Sequence, residues 1–453
     1  MGVGVRQAAQ SKLSMDTTIT AVHGRRIWDS RGRPTVEVDV QLACGATGRG
    51  VAPAGASRGT REAVELRDGG ASLGGFDVTG ALAGVNSEIA HCLIGRDGAD
   101  QSALDAALIA LDGTTAKSRL GGNALIATSL AALQAAAAAH QWPLWRYLCG
   151  GAPVSLPLPE IQIFGGGAHA GGRVDVQDFM IMPLGATSFA QGLDMVAEVY
   201  RAAGGQLRDR GQHFGVADEG GYWPAFANNE EALALLLQAI ESAGFTPGEQ
   251  IAISLDIAAS ELRKDGRYRL ALERRELDSA AMIALVVGWL RRYPIVSIED
   301  PLGEDDAGGW AQLMDEVGTL GRPLQVIGDD LLVTNAGLVH DAATRGLCNA
   351  VLIKPNQAGT VTETKAALDA GKHAGFATIV SARSGETEDV AIAHLAVGWN
   401  AGQLKVGSFA RSERMAKWNE VLRIEEALGA QARFAGRAAL GRGTPKARAE
   451  NLV

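Results

Sequence analysis

Acidic and basic side chains recur at the ends of short apolar runs in the second half of this chain. Asp256 closes Ile251–Asp256, Glu299 falls near the end of Ile295–Asp300, and Asp329 falls near the end of Leu324–Asp330. Lys354 closes Ala350–Lys354, and Lys405 closes Gly402–Lys405. Carboxylates brought together without a cation repel and raise one another's pKa. A hard divalent ion resolves that conflict, and oxygen-only ligands suit Mg²⁺. Any one of these acids also reads as a helix cap or a surface group; three at successive run ends argue for a shared centre. A lysine beside a metal and a second ammonium is expected to have a lowered pKa and to act as a base near neutrality. The plainer role, a salt bridge to the carboxylates, is compatible with it. Arg383 and Ser384, just after Thr378–Ser381, supply a guanidinium and a hydroxyl that suit a phosphate. Asp218-Glu219-Gly220-Gly221 places a carboxyl in a flexible loop, suited to a general acid if partly desolvated and otherwise simply solvated. His169, in Gly165-Gly166-Gly167-Ala168-His169, reads equally as structural or functional.

The elements that position these groups follow from periodicity. The apolar runs alternate with amphipathic stretches such as Glu231–Ala243, which predicts strand–helix units in a parallel barrel or a doubly wound sheet. The charged run ends favour the barrel, where strand ends converge on one face. In the first part of the chain Val36, Val38, Val40 and Leu42 share one face of an alternating strand. A turn at Asp29–Pro34 precedes that strand. The small-residue loop Ala52–Thr60 follows it and is suited to a lid. Ala124–Ala139 reads as a buried, alanine-rich helix too short to span a bilayer. The expected organisation is a flexible extension over 1–16, an α+β domain over 17–150, a connection through Gly150–Pro159, a barrel over 151–437, and a solvated tail over 438–453 that includes Arg442, Lys446 and Arg448.

At 453 residues the chain exceeds one typical domain, and 47% hydrophobic with 21% charged residues marks an ordinary globular protein. A formal net charge of -9 argues against nucleic acid or an anionic membrane as the main partner. A small anionic substrate stays compatible, because a site needs only local positive charge. The first sixteen residues have no apolar core of a secretory signal. Cys44, Cys92, Cys149 and Cys348 form no C-x-x-C pair, so no zinc or redox motif is present and a reducing, cytoplasmic setting is expected.

With these residues in place the chain resembles enolase from about Ile19 to Arg437. The specific stretches are Asp29-Ser30-Arg31-Gly32, Pro34-Thr35-Val36-Glu37-Val38, Glu65-Leu66-Arg67-Asp68-Gly69, Ser297-Ile298-Glu299-Asp300-Pro301, Gly328-Asp329-Asp330, Ser384–Asp389 and Arg411-Ser412-Glu413-Arg414. The resemblance implies an N-terminal α+β domain capping an enolase-type (β/α)₈ barrel. It implies two Mg²⁺ ions, one on Asp256, Glu299 and Asp329, the second involving Ser57. It implies Lys354 as the base at C2 of 2-phosphoglycerate and Glu219 as the acid for the C3 hydroxyl. Lys405 and Gln177 then meet the substrate, Arg383 and Ser384 clamp its phosphate, and His169 is an active-site loop histidine. A homodimer is the family default.

The chain also departs from the pattern. Ala382 stands where enolases have histidine, and Asp178 where they have glutamate. The lid reads Ala54-Gly55-Ala56-Ser57-Arg58 instead of Ser-Gly-Ala-Ser-Thr, and an Asn-Gly-Gly segment becomes Gly165-Gly166-Gly167. Metal ligands, lysines and clamp remain while the reacting end changes. The favoured expectation is therefore a specialised enolpyruvate-forming enzyme, like the carboxyphosphonoenolpyruvate synthase of phosphinothricin-type pathways, with Arg58 and the space at Ala382 receiving extra negative charge. The alternatives are a working 2-phosphoglycerate dehydratase and a non-catalytic binding protein of the same fold.

Overall fold

The computed structural model describes residues 15–441. Residues 1–14 of the expected extension and residues 442–453 of the expected tail, with Arg442, Lys446 and Arg448, lie outside the described residues. The first unit opens with an antiparallel meander of β1 (Ile19–Trp28), β2 (Pro34–Leu42) and β3 (Thr47–Val51). Val36, Val38, Val40 and Leu42 are buried, as their alternation requires. The helix Gly122–Ala139 lies against this sheet. Its close approach depends on β3: a Cβ on Gly48 would meet Ala131 O at 2.2 Å, and one on Gly50 would meet Ala127 O at 2.2 Å. This helix is long and apolar enough to cross a membrane by length and composition, yet 83% of it is buried inside the protein.

The second unit is a closed barrel. Its strands are β4 (Leu158–Gly165), β5 (Asp178–Met182), β6 (Ala252–Asp256), β10 (Ile295–Glu299), β11 (Gln325–Gly328), β12 (Ala350–Ile353), β13 (Ala377–Ser381) and β14 (Gly402–Ser408). Three short strands, β7 (Arg263–Lys264), β8 (Arg267–Leu270) and β9 (Arg275–Leu277), form a small sheet on the excursion between β6 and β10. The all-parallel arrangement expected from the sequence holds except at β5, which runs antiparallel to both β4 and β6. Two helices, Phe189–Asp209 and Asn229–Ser242, then carry the chain back to β6. Reversing β5 brings its first residue, Asp178, to the rim where the other strands end, opposite Asp256 in the ladder.

The connection expected through Pro159 is shorter than that, because Leu158 and Pro159 already belong to β4. At the other end, residues expected in the tail close the barrel floor: Gln403 Nε2 donates to Ala439 O at 3.0 Å. The two units meet through buried polar contacts. Asp105 accepts from Thr362 N at 2.8 Å and Thr362 Oγ1 at 2.6 Å across the junction, and from Ser129 Oγ at 2.6 Å within its own unit.

Candidate active site

Each predicted group reaches the barrel mouth by a local device. Asp256 and Glu299 are the last residues of β6 and β10, and Asp329 and Lys354 directly follow β11 and β12. Left-handed backbone marks these strand ends, at Ala258 (φ 50°), Asp300 (φ 39°), Val333 (φ 40°) and Thr334 (φ 51°). Such conformations cost on the order of 1–3 kcal/mol each in non-glycine residues and cluster where a site over-determines them. Asp300 shows how. Its carboxylate accepts Asp329 N at 2.9 Å and Asp330 N at 2.8 Å, which fixes the turn presenting Asp329.

One cavity gathers Ser57, His169, Gln177, Asp178, Glu219, Asp256, Lys354, Arg383, Ser384 and Lys405, with Ala382 in its wall. Lys405 Nζ donates to Asp256 Oδ2 and Glu299 Oε2, both at 2.7 Å, and lies 3.8 Å from Asp178 Oδ2. Burial opposes its charge, but Asp256 and Glu299 outweigh burial and hold the ammonium well above its ordinary pKa. Beneath it the buried Glu160 accepts from Ser254 Oγ, and burial pushes its carboxyl up.

Lys354 Nζ binds Asp329 Oδ2, and Gln357 Nε2 donates to Asp329 Oδ1 at 2.9 Å. The lowered pKa expected of this lysine presumes a metal beside it; here its direct neighbour is the Asp329 carboxylate. Burial does disfavour the ammonium, but Asp329 prevails and raises it.

The residues expected to serve as acid and base form a second cluster. His169 Nδ1 lies 3.2 Å from Asp178 Oδ1, and Nε2 lies 2.8 Å from Ser384 Oγ and 3.8 Å from Glu219 Oε1. Burial works against the imidazolium, yet Glu219 and Asp178 overcome it and raise His169 above the ordinary value. The Asp178 carboxyl is disfavoured by burial, but His169 and Lys405 hold it below the usual range. Gln162 on β4 donates Nε2 to Asp178 Oδ1 and accepts Gly221 N at 2.7 Å through Oε1.

Arg383 is buried, with Nη1 on Glu62 Oε2 at 2.9 Å and Asn356 Oδ1 at 3.2 Å, and Nη2 on Ser57 O at 3.1 Å. Arg414 holds the clamp loop from behind by donating to Arg383 O at 2.6 Å and Val406 O at 2.9 Å. The loop expected to act as a lid is tied to the barrel at two points. Ala54 pairs with Gly385 across a β-bridge, and Thr60 N donates to Glu304 Oε1 at 3.1 Å. Arg58 does not join the cavity. It is half-exposed and pairs with Glu65 Oε2 at 3.3 Å, so its charge is spent on the lid's own anchor.

The chemistry of the donors fits a hard cation. Glu299 Oε1 and Gln177 Oε1 are buried with no donor, and Gln177 Nε2 lies 3.1 Å from Asp256 Oδ2. Burial, then Asp256, raises Glu299 well above a normal carboxyl, so its charged form calls for a neighbouring positive charge. The predicted trio is not drawn together as tightly as two other groups among the described residues. Ligand atoms of His169, Asp178 and Glu219, and of Asp300, Asp329 and Asp330, lie within 4.8 Å of one another. Lys405 takes up the charge of Asp256 and Glu299 instead.

Residues 19–148 match the family model described as the enolase N-terminal domain, and residues 153–442 match the enolase C-terminal TIM barrel domain. The chain belongs to the enolase family. It is 50% identical over 419 residues to "Enolase 1" of Desulfitobacterium hafniense (strain Y51), covering 92% of this chain and 95% of that protein. As a member of the enolase family it is an enzyme, a carbon–oxygen lyase. Gln162, Glu62, Gln357 and Asp300 were not singled out in the sequence. The signal for Gln162 was a polar residue at an inward position of a fully buried strand.

Proposed function

We propose that this enolase-family lyase converts 2-phosphoglycerate to phosphoenolpyruvate and water. The observation that carries this reading is the cavity that joins Lys354, Glu219, the Arg383–Ser384 clamp and Lys405. The similarity to Enolase 1 supports it over the specialised synthase. Lys354, released from Asp329, takes the C2 proton. Lys405 holds the substrate carboxylate and Arg383 its phosphate. Glu219 gives a proton to the departing C3 hydroxyl, and His169, raised by Glu219 and Asp178, keeps that acid supplied. Asp256, Glu299 and Asp329, with Ser57 at a second position, would hold Mg²⁺, which would supply positive charge near the substrate carboxylate.

The link that His169 makes between Asp178 and Ser384 supports this reading alongside Ala382. The synthase reading keeps one observation in its favour, the small side chain at Ala382 in the cavity wall. A cytoplasmic setting is supported by four free cysteines. A homodimer is supported by family membership, and light scattering of the full chain tests it.

The deciding experiment is NMR of 2-phosphoglycerate with the protein and Mg²⁺ in D₂O. C2 deuteration together with phosphoenolpyruvate is the expected result. Deuteration without phosphoenolpyruvate sinks the dehydratase reading and favours the synthase.

A further inference from the structure

His169 and Glu219 ride on separate segments, and neither segment is a barrel strand. His169 lies on the loop that joins β4 to β5. Glu219 sits at the tip of a small hairpin, where Val216 bridges Tyr222 and Ala217 N donates to Gly221 O at 2.7 Å. The hairpin is tied to the barrel, with Ser408 N donating to Glu219 O at 2.8 Å and Gly165 N to Tyr222 O at 2.9 Å, and its Glu219 Oε1 lies 3.8 Å from His169 Nε2 across to the other loop.

Arg173, on the His169 loop, reaches both legs of that hairpin. Its guanidinium carbon lies 5.4 Å from the Phe214 ring centroid and 4.8 Å from that of Trp223, and Nη1 donates to Trp223 O at 3.2 Å. Phe214 precedes one leg and Trp223 follows the other, so one cation spans the base of the hairpin. This accounts for Phe214, which is 53% exposed yet faces a charge. Gly215 permits the close packing: its φ is +128°, and a Cβ there would meet Trp223 Nε1 at 3.2 Å. Nearer the tip a second tie runs the same way, with Asp218 N donating to His169 O at 3.1 Å.

We propose that Arg173 is a positioning residue, whose clasp on Phe214 and Trp223 locks the His169 loop to the Glu219 hairpin and sets the acid against the leaving group. This rests on the reading of Glu219 as the acid for hydroxide departure. Lys354 follows barrel strand β12 and shares no contact with the clasp. Loosening the clasp therefore disturbs elimination and spares proton abstraction.

The test uses the full chain with Mg²⁺, as the parent, Arg173→Ala and Arg173→Lys. Arg173→Ala is expected to keep C2 deuteration of 2-phosphoglycerate within about twofold of the parent while phosphoenolpyruvate formation falls on the order of tenfold or more. Amide deuterium uptake is expected to rise in residues 166–177 and 213–223 and to stay unchanged elsewhere. Arg173→Lys keeps a cation over the rings and is expected to recover most of both properties. Unchanged uptake in Arg173→Ala overturns the clasp. Loss of deuteration and elimination in equal measure overturns its specific role, since general destabilisation does that. If the parent neither deuterates nor dehydrates 2-phosphoglycerate, the functional reading fails, and amide uptake alone then decides whether the clasp couples the two segments.

Discussion

Asp178 and Gln162 divide one span between them. The carboxylate is short and the amide that meets it is long, and both are fully buried. Asp178→Glu alone adds a methylene to a closed space, and overpacking of this kind costs about 1–3 kcal/mol. Its expected outcome is a lowered melting temperature and slower turnover. Gln162→Asn removes the matching methylene, so the double variant is expected to recover much of both losses. A double-mutant cycle on kcat and Tm measures the coupling, and strictly additive effects would refute the shared span. Glu299→Gln is a separate case. The amide keeps the shape but loses the charge that meets Lys405 and, on the proposed reading, would meet a divalent ion, so calorimetric Mg²⁺ affinity is expected to fall and turnover to drop by roughly 10²-fold or more, the value of a group acting on developing charge.

The lid is held by backbone as much as by side chains. A Cβ on Gly55 would meet Arg383 Nη2 at 1.9 Å, so Gly55→Ala must push either the lid or the guanidinium aside. The expected result is a raised KM for a phosphorylated substrate with little change in melting temperature, measured by steady-state kinetics and calorimetry. At this scale the sequence was most legible where strands are apolar. The runs Ile251–Asp256, Ile295–Asp300 and Thr378–Ser381 match β6, β10 and β13 to within one residue at either end. β4 escaped notice because Glu160 and Gln162 point into the barrel, and a polar residue in a run reads as a surface position. β5 is five residues long and reversed, so neither length nor alternation announced it. The charged run ends do lie at the barrel mouth, Asp256 and Glu299 closing their strands and Asp329 and Lys354 directly following theirs, because strand ends converge on that face. The pairing of Arg58 with Glu65 could not be read in the same way, because that partner is set by the fold and not by spacing.

Across the whole molecule, the cap and barrel depend on a few buried polar ties. Asp105→Ala leaves Thr362 and Ser129 without their acceptor at the junction, where burial already pushes the Asp105 carboxyl up. Unsatisfied buried donors cost about 1–3 kcal/mol each. The expected outcome is a lower urea midpoint, with the cap released at lower denaturant than the barrel. Acid sensitivity has a distinct source in His394, which burial holds below its ordinary 6.5 against the pull of Glu420. The unfolded chain therefore takes up this proton first. Stability from the neutral imidazole is complete above about pH 6.5 and is lost as pH falls below it, until the folded histidine titrates. His394→Leu is expected to flatten the stability profile between about pH 7 and pH 5, read from denaturant midpoints.

Barrel closure joins β14 to β4, with Lys405 opposite Glu160. Those two strands stand at opposite ends of the barrel sequence, so β4 has no partner on that edge until nearly the whole chain has left the ribosome. A nascent or truncated chain ending before Gly402 presents an open strand edge and a buried acid without its lysine. Such edges template self-association. Early termination is therefore expected to yield aggregates and not a smaller folded barrel, and this enzyme's synthesis carries its greatest hazard in its last stretch.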